Sequence, residues 1–363
     1  MRPIEDIETP AVLVDLDVVE ANVRRMAEAA RRHGVRLRPH AKTHKTAEIA
    51  RMQIAAGAVG LCLAKTSEAE AFARAGFEDV FIAYPIVGED KARRLLALAD
   101  RLRLAVGVDS EEGARSLASC FHAAGRTLDV LIKVDVGFHR VGVAPEAAPD
   151  LARRVAGLPG LRLRGVFTFA GHAYACPTPA DVATAGRDEG QTLAGAAAAL
   201  GAMGLPCEVV SVGSTPTAPH AMACPGVTEC RPGVYAFNDA SQVSLGSCAP
   251  EDCALTVLAS VVSVPGPGRA VVDAGSKCLS SDPLRPRAGG HGLLLGRASR
   301  IAWMSEEHGV VDVAEDESFR VGERVRILPN HACVVANLAD RLLGIRGGRV
   351  EAELPLIARG HVA

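Results

Sequence analysis

From residue 36 onward, short β-branched runs alternate with Ala-, Arg- and Glu-rich helical stretches, eight times over. The runs lie near residues 36–42, 59–65, 79–84, 103–109, 129–136, 162–169, 208–212 and 227–231. Between them come patterns such as "TAEIARMQIAAG", "SEAEAFARAG", "EDKARRLLALADR" and "SEEGARSLASCFHAAG". Several open on Ser, Thr, Asp or Glu and several close on Gly, the punctuation of helix ends. A helical crossover after nearly every strand implies parallel pairing. Eight such units favour an α/β fold closed as a (β/α)8 TIM-type barrel.

The texture changes after about residue 245. "DCALTVLASVVSVPG", "RAVVDAG", "HGLLLGRA", "ERVRILPNHACVVANL" and "RLLGIRGGRVEAELPLIARG" are strand-like runs joined by Gly/Pro turns. A C-terminal all-β domain is the natural reading, with the barrel at 10–245 and the β domain at 246–363. Residues 1–9 are free to join the second domain, and "PAVLVDLD", 10–17, suits either. A chain of 363 residues accommodates two domains of this size.

Composition removes whole function classes. A net charge of −2 and 4% aromatic residues supply neither the basic stripe nor the stacking surface of a nucleic-acid binder. No stretch approaches the roughly 20 apolar residues of a membrane span. The N-terminus, "MRPIEDIETPAVLVDLD", has no apolar signal-peptide core. Ten scattered Cys without a CxxC pair fit reduced thiols in the cytoplasm better than a disulfide framework.

In barrels of this type the chemistry sits at the C-terminal strand ends. "LRPHAKTHK", 37–45, ends the first strand and sets Lys42 at the mouth. A lysine amine condenses with a carbonyl compound once neighbours or desolvation lower its pKa. Arg38, His40, His44 and Lys45 are cationic neighbours of that kind. A solvated basic loop is the competing reading, and for His44 and Lys45 a surface charge on the next helix is the simpler one.

If the carbonyl compound is pyridoxal phosphate, an anion site is also needed. "SVGSTPT", 211–217, follows the seventh strand; Gly213 permits close backbone approach, and Ser214 and Thr215 bring hydroxyls and N–H groups to a helix start. "RPGVY", 231–235, repeats the arrangement after the eighth strand with Gly233 and Tyr235. After the fifth strand "KVDVGFHRVGV" offers Arg140, which either meets the cofactor ring or pairs with Asp135. After the sixth, "FTFAGHAY" offers His172, catalytic or structural, and Tyr174.

In the C-terminal region "LPNHACVVANL" puts His331 and Cys333 in alternation on an expected strand, facing one way. Imidazole plus thiolate suits Zn²⁺, although an isolated pair of this kind is also common as structure. "MSEEHG" adds His308 and two carboxylates as further ligand candidates. "VDAGSKCLSSD" offers a polar turn for the substrate side.

"ETPAVLVDLD", "LRPHAKTHK", "SVGSTPT", "RPGVY", "DAGSK", "SEEHG" and "PNHACVVANL" occur here in the order found in the D-threonine aldolase and D-serine dehydratase family. The chain resembles these fold-type III pyridoxal phosphate enzymes, relatives of alanine racemase, over nearly its whole length. The resemblance implies that Lys42 holds pyridoxal phosphate, that Arg140, Tyr174, Ser214, Thr215, Gly233 and Tyr235 surround it, and that His331 and Cys333 hold a divalent metal (Zn²⁺, Mn²⁺ or Mg²⁺). It implies a homodimer and a D-3-hydroxy-α-amino acid substrate. Retro-aldol cleavage to glycine and an aldehyde, with His172 as base, is the first expectation. Dehydration to a 2-oxo acid and ammonia is the alternative, and a non-catalytic cofactor-binding protein the remote one. Family aldolases often pair the metal His with Asp and dehydratases with Cys, so Cys333 leans toward dehydration. "DAGSKCLSSD" and the "ARG" ending look more like the aldolase branch.

Overall fold

The computed structural model describes residues 2–284, 286 and 289–363. Eight parallel strands carry the first domain: β1 Arg36–Leu37, β2 Leu61–Leu63, β3 Asp79–Pro85, β4 Arg103–Val108, β5 Leu128–Lys133, β6 Leu161–Phe167, β7 Val209–Val212 and β8 Glu229–Cys230. They pair in the order β1–β8–β7–β6–β5–β4–β3–β2. Helices covering the outside make both strand faces apolar, which is why the runs are continuous rather than alternating. The expected helices form at Ala47–Ala55, Thr66–Arg74, Glu89–Leu98 and Glu111–Ala123. Ser110 caps the last of these by accepting the Gly113 N–H.

The ring closes between β1 and β2, and the closure positions the lysine loop. Val59 N–H donates to Leu37 O, Cys62 N–H to Pro39 O, and Ala41 N–H to Cys62 O. The first strand is shorter than its expected span of 36–42. Pro39 has no N–H to continue the ladder, so pairing resumes only as a single bridge between His40 and Cys62. The chain then turns at 41–44. A (β/α)8 barrel is the result, and Lys42 leaves it at the C-terminal rim.

Inside the barrel, Cys62, Phe81, Leu131, Phe167 and Val209 form a compact apolar layer. Phe81 and Phe167 meet edge to face at 5.0 Å.

The second domain is antiparallel. Leu255–Gly266, Arg269–Val272, Gly309–Asp312, Arg300–Met304, Gly292–Leu294 and Arg324–Pro329 close on themselves as a small barrel. The sheet extends through Ala11–Asp15, which pairs antiparallel with Leu255–Leu258 and parallel with Leu343–Ile345. "PAVLVDLD" therefore contributes its strand to this sheet, and Asp15 then caps the helix Leu16–Arg32.

One expected strand is a helix. "HACVVANL" does not continue Arg324–Pro329; Ala332–Leu338 is helical, with His331 at its N-cap position. Ala332, Val335 and Ala336 are buried at helical spacing. The Asp239 carboxylate accepts the Ala332 N–H from another part of the chain. A short apolar run is ambiguous between the two periods, and this distant cap decides it. Among the described residues no helix is long and apolar enough to cross a membrane.

Gly165 marks a tight point in β6, at a shift of register against β5. A Cβ there would press into the Val209 carbonyl, and its φ is +146°. We expect Gly165→Ala to cost about 3 kcal/mol or more of stability, read as a lowered urea midpoint.

Candidate active site at the barrel mouth

Lys42 is exposed at the rim while Ala41, Thr43, His44 and Lys45 around it are buried. A Cβ added to Gly233 would lie 2.9 Å from Thr43 Oγ1 and 3.0 Å from His40 O. The "RPGVY" turn therefore packs directly on the residues flanking Lys42, and only glycine permits that approach. Burial, then the Lys42 and Arg231 charges, push the His40 imidazole well below its usual range. Its Nδ1 is sealed from solvent without a hydrogen-bond partner among the described residues.

His44 and Lys45 are not surface charges on the next helix. His44 Nδ1 accepts the Thr46 N–H, and its Nε2 lies 3.2 Å from Gln53 Oε1. Burial lowers its pKa to about 4, so the ring is neutral. Lys45 Nζ meets Glu68 at 3.2 Å and Asn337 at 2.8 Å. Both side chains tie the loop down, the usual fate of buried polar groups.

The two glycine turns adjoin one another, since Tyr235 N–H donates to Thr215 Oγ1 at 3.1 Å. Among the described residues none accepts a hydrogen bond from the backbone N–H of Ser214, Thr215 or Gly233. The Gly213 N–H, by contrast, is engaged by Glu189 at 3.0 Å. The Tyr235 hydroxyl is buried and takes a hydrogen bond from Gln53 at 3.0 Å.

Glu189 also accepts from Ala170 N–H and Thr217 Oγ1. Burial raises its pKa, against the hydrogen bonds and the Arg231 and Lys133 charges. Arg231 is buried behind the turns; its Nε donates to Ser211 Oγ at 2.8 Å and its Nη2 to the Thr168 and Ser211 carbonyls. Lys133, at the end of β5, lies 5.1 Å from the centre of the Phe167 ring. Burial and the Arg231 charge lower its pKa to about 7.

Arg140 does not pair with Asp135. It lies over the Phe138 and Phe169 rings at 4.9 and 5.2 Å. Asp135 instead accepts the N–H groups of Gly137, Phe138 and His139 and meets the His139 ring at 3.0 Å. His172 faces the same loop: its Cε1 would lie 3.7 Å from a Cβ at Gly137. Its Nδ1 is buried without a hydrogen-bond partner among the described residues. Burial pushes the Tyr174 phenol up, and the Cys333 and Asp239 charges add to the shift.

The β domain brings His331 and Cys333 to this mouth. Cys333 Sγ donates to Thr43 Oγ1 at 3.2 Å, one residue from Lys42. Burial raises the Cys333 thiol, but His331, Thr43 and the Lys42 charge outweigh it, leaving the thiol below its ordinary value. His331 moves up: burial opposes the shift, and the Cys333 and Asp239 charges with Asp282 drive it. His331 Nδ1 lies 2.6 Å from Asp282, a contact that sets the ring orientation and the role of Nε2. Among the described residues no group of three or more His, Cys, Asp or Glu side chains gathers as a metal cage.

The "MSEEHG" candidates lie elsewhere: His308 is exposed, and Glu306 and Glu307 pair with Lys277. The turn "VDAGSKCLSSD" is divided: Asp273 accepts from Thr9 and the Ser260 N–H, whereas Asp282 meets His331. Sequence reading missed Glu189 and Gln242, because acids and amides on helices normally face water, and also Asp239, Arg231 and Lys133, whose burial comes from distant parts of the chain. Arg231 and Lys133 alone carried a signal, each being a cation ending a buried strand.

A lysine at the end of the first strand of such a barrel, facing a β domain, is the plan of the alanine racemase class. Residues 14–241 match the family described as "Alanine racemase, N-terminal domain". Residues 254–345 match the one described as "Putative serine dehydratase domain". The chain is 38% identical over 346 residues to D-threo-3-hydroxyaspartate dehydratase of Delftia sp. (strain HT23), covering 90% of this chain and 91% of that one. It is 36% identical over 363 residues to D-threonine aldolase of Arthrobacter sp, covering 99% and 94%. The solved D-threonine aldolase from Filomicrobium marinum gives a TM-score of 0.92 at 37% identity, covering 100% of this chain and 98% of that one. A cysteine-to-alanine mutant of D-threo-3-hydroxyaspartate dehydratase in the metal-free form gives 0.92 at 36%, covering 98% and 99%. This chain belongs to the D-threonine aldolase and D-serine dehydratase family, enzymes of the fold-type III pyridoxal phosphate class. Aldolases and dehydratases stand at nearly equal identity.

Lys133 makes stability depend on pH. It releases its proton near pH 7 when folded and near 10.5 when unfolded. Between those values the unfolded chain holds more protons, so stability rises with pH. We expect wild type to gain up to roughly 1 kcal/mol per pH unit across this window relative to Lys133→Met, measured by urea unfolding at pH 7.5 and 9.5.

Proposed function

We propose that this enzyme is a pyridoxal phosphate- and divalent-metal-dependent lyase that dehydrates D-3-hydroxy-α-amino acids to a 2-oxo acid and ammonia. The observation that carries this reading is the adjacency of Lys42 to Cys333 through Thr43. A base for Cα and a metal-binding pair for the β-hydroxyl then share one wall of the mouth, as elimination requires.

The residues present fit both groups. Unengaged amides at Ser214, Thr215 and Gly233 suit a phosphate. The close approach at Gly233 brings that cradle beside Lys42, and the buried, unpartnered His40 Nδ1 lies next to it in the chain. Imidazole and a thiol held below its ordinary pKa are a donor set for Zn²⁺. The metal-free Cys-to-Ala mutant of the related dehydratase is in keeping with cysteine ligation. Lys42 would hold the cofactor aldehyde, and His331 and Cys333 the metal.

When bound, pyridoxal phosphate supplies an electron sink for charge at Cα, and the cation a Lewis acid for the β-hydroxyl. The chain supplies the rest. Lys42 Nζ takes the Cα proton. Asp282 holds the His331 ring, and Thr43 and Asp239 hold the start of the helix that carries Cys333. Arg140 and Tyr174, which follow β5 and β6, would flank the cofactor. The homodimer implied by the resemblance is part of this reading.

Retro-aldol cleavage is the second reading, and His172 is what favours it. Its unpartnered Nδ1 is a base for the β-hydroxyl proton, although its ring packs on the Gly137 loop and not on Thr43.

With D-threonine we expect 2-oxobutanoate and ammonia; glycine with acetaldehyde as the main products would establish cleavage instead. Lys42→Ala should lose the visible absorbance of bound cofactor and at least about 10³-fold in turnover. Cys333→Ala should keep the absorbance and lose chelator-sensitive turnover. Full activity in either variant removes that residue from its role.

A further inference from the structure

Between the short helix Ala240–Ser244 and the β-domain strand Leu255–Gly266 the chain makes one tight turn, Pro250–Asp252. Ala249 N–H donates to the Asp252 carboxylate, Asp252 N–H to Ala249 O, and Cys253 N–H to Pro250 O. The Asp252 carbonyl accepts the side-chain amides of Asn22 and Asn238. The turn is thus closed on itself and fastened from two other segments. Cys248 and Cys253 flank it.

The two side chains converge. Both pack in one apolar cluster with Ala240, Val243 and Leu328, and their thiols hydrogen-bond one another. Neither is in a disulfide. Cys253 is buried and Cys248 half-buried. The Cys248 contact, then burial, push the Cys253 thiol up. Cys253 therefore holds its proton, and Cys248 is the sulfur that meets a reagent arriving from solvent.

We propose that Cys248 and Cys253 are a redox-active dithiol, closed to a disulfide by a hydroperoxide in the folded protein. Two sulfurs already in contact across a fixed turn join without moving the backbone far. The Cys248 thiolate attacks the hydroperoxide and the O–O bond breaks. A sulfenic acid is left on Cys248, and water or an alcohol departs with the thiol proton. The Cys253 sulfur then attacks the Cys248 sulfur; the S–O bond breaks, and the oxygen leaves as water with the Cys253 proton. In sum two thiols lose two electrons and two protons, and the peroxide takes up both. Neither cysteine has a role in the lyase reading, and this inference does not depend on it.

The test maps the bond. Reduced holoenzyme is treated with equimolar hydrogen peroxide, free thiols are alkylated after unfolding, and the chain is cut at Glu251, between the two cysteines. The peptides carrying Cys248 and Cys253 should remain joined, unalkylated, about 2 Da lighter than their sum, and separable by dithiothreitol. Cys253→Ser should give no joined pair and a Cys248 sulfenic acid that dimedone captures. Cys248→Ser should leave Cys253 alkylated and at least about 10-fold less oxidised than in wild type. Wild type whose two cysteines both stay alkylated, or join other cysteines instead of each other, overturns the proposal. A joined pair that forms only when peroxide meets the unfolded chain overturns it as well. The wild-type map decides the question whether or not either variant folds.

Discussion

A single buried carboxylate holds the two halves of the site in register. Asp239 is 2% exposed, and burial raises its pKa against His331 and three backbone amides. One oxygen accepts the Gln242 N–H, starting the helix after the last barrel loop; the other accepts the Ala332 N–H, starting the helix that carries Cys333. A buried carboxylate is tolerable only when its oxygens are paired, and helix N-termini are favourable partners. The position of His331 and Cys333 over the barrel follows from that joint. Thr43, Tyr174 and Gln242 are arranged around it.

The two ends of the barrel treat charge in opposite ways. At the N-terminal end, Arg38, Arg103, Arg162 and Arg164 are each matched by Asp79, Asp129, Glu208 or Glu229. A cavity of about 380 Å³ opens among them, but these four arginines are already answered by carboxylates. At the C-terminal end Lys133, Arg231 and Lys42 share a smaller acidic complement, chiefly Glu189. Hydrogen-bonding capacity is left over at His40, His172 and Gln242. Ion pairs satisfied within the chain make a floor; groups left for a ligand make a site.

The barrel was legible because its strands are buried on both faces. Val, Ile and Leu runs such as "LDVLIK" and "LRLRGVF" have few other uses between helices with clear ends. The position of Lys42, Gly213 and Gly233 at the barrel mouth was legible for a related reason, since all three follow strand ends. Other features depended on distant partners. Pro39 shortened the first strand by withholding one N–H. The helix at Ala332 depended on Asp239, far away in sequence. Burial of Glu189 and Gln242 could not be inferred from their own segments, where a polar residue on a helix ordinarily faces solvent. His331 and Cys333 were legible as neighbours, but the helix that carries them was not.

The strand Ala11–Asp15 has a consequence for synthesis. Its partners, Leu255–Leu258 and Leu343–Ile345, emerge from the ribosome long after it does, once the whole barrel has been made. Chains are elongated at roughly 5–20 residues per second, so this apolar segment waits unpaired for many seconds. During that interval it is an open edge on which a second nascent chain can add. The β domain that completes the mouth can be assembled only in a late step, by recruiting a strand made before the barrel.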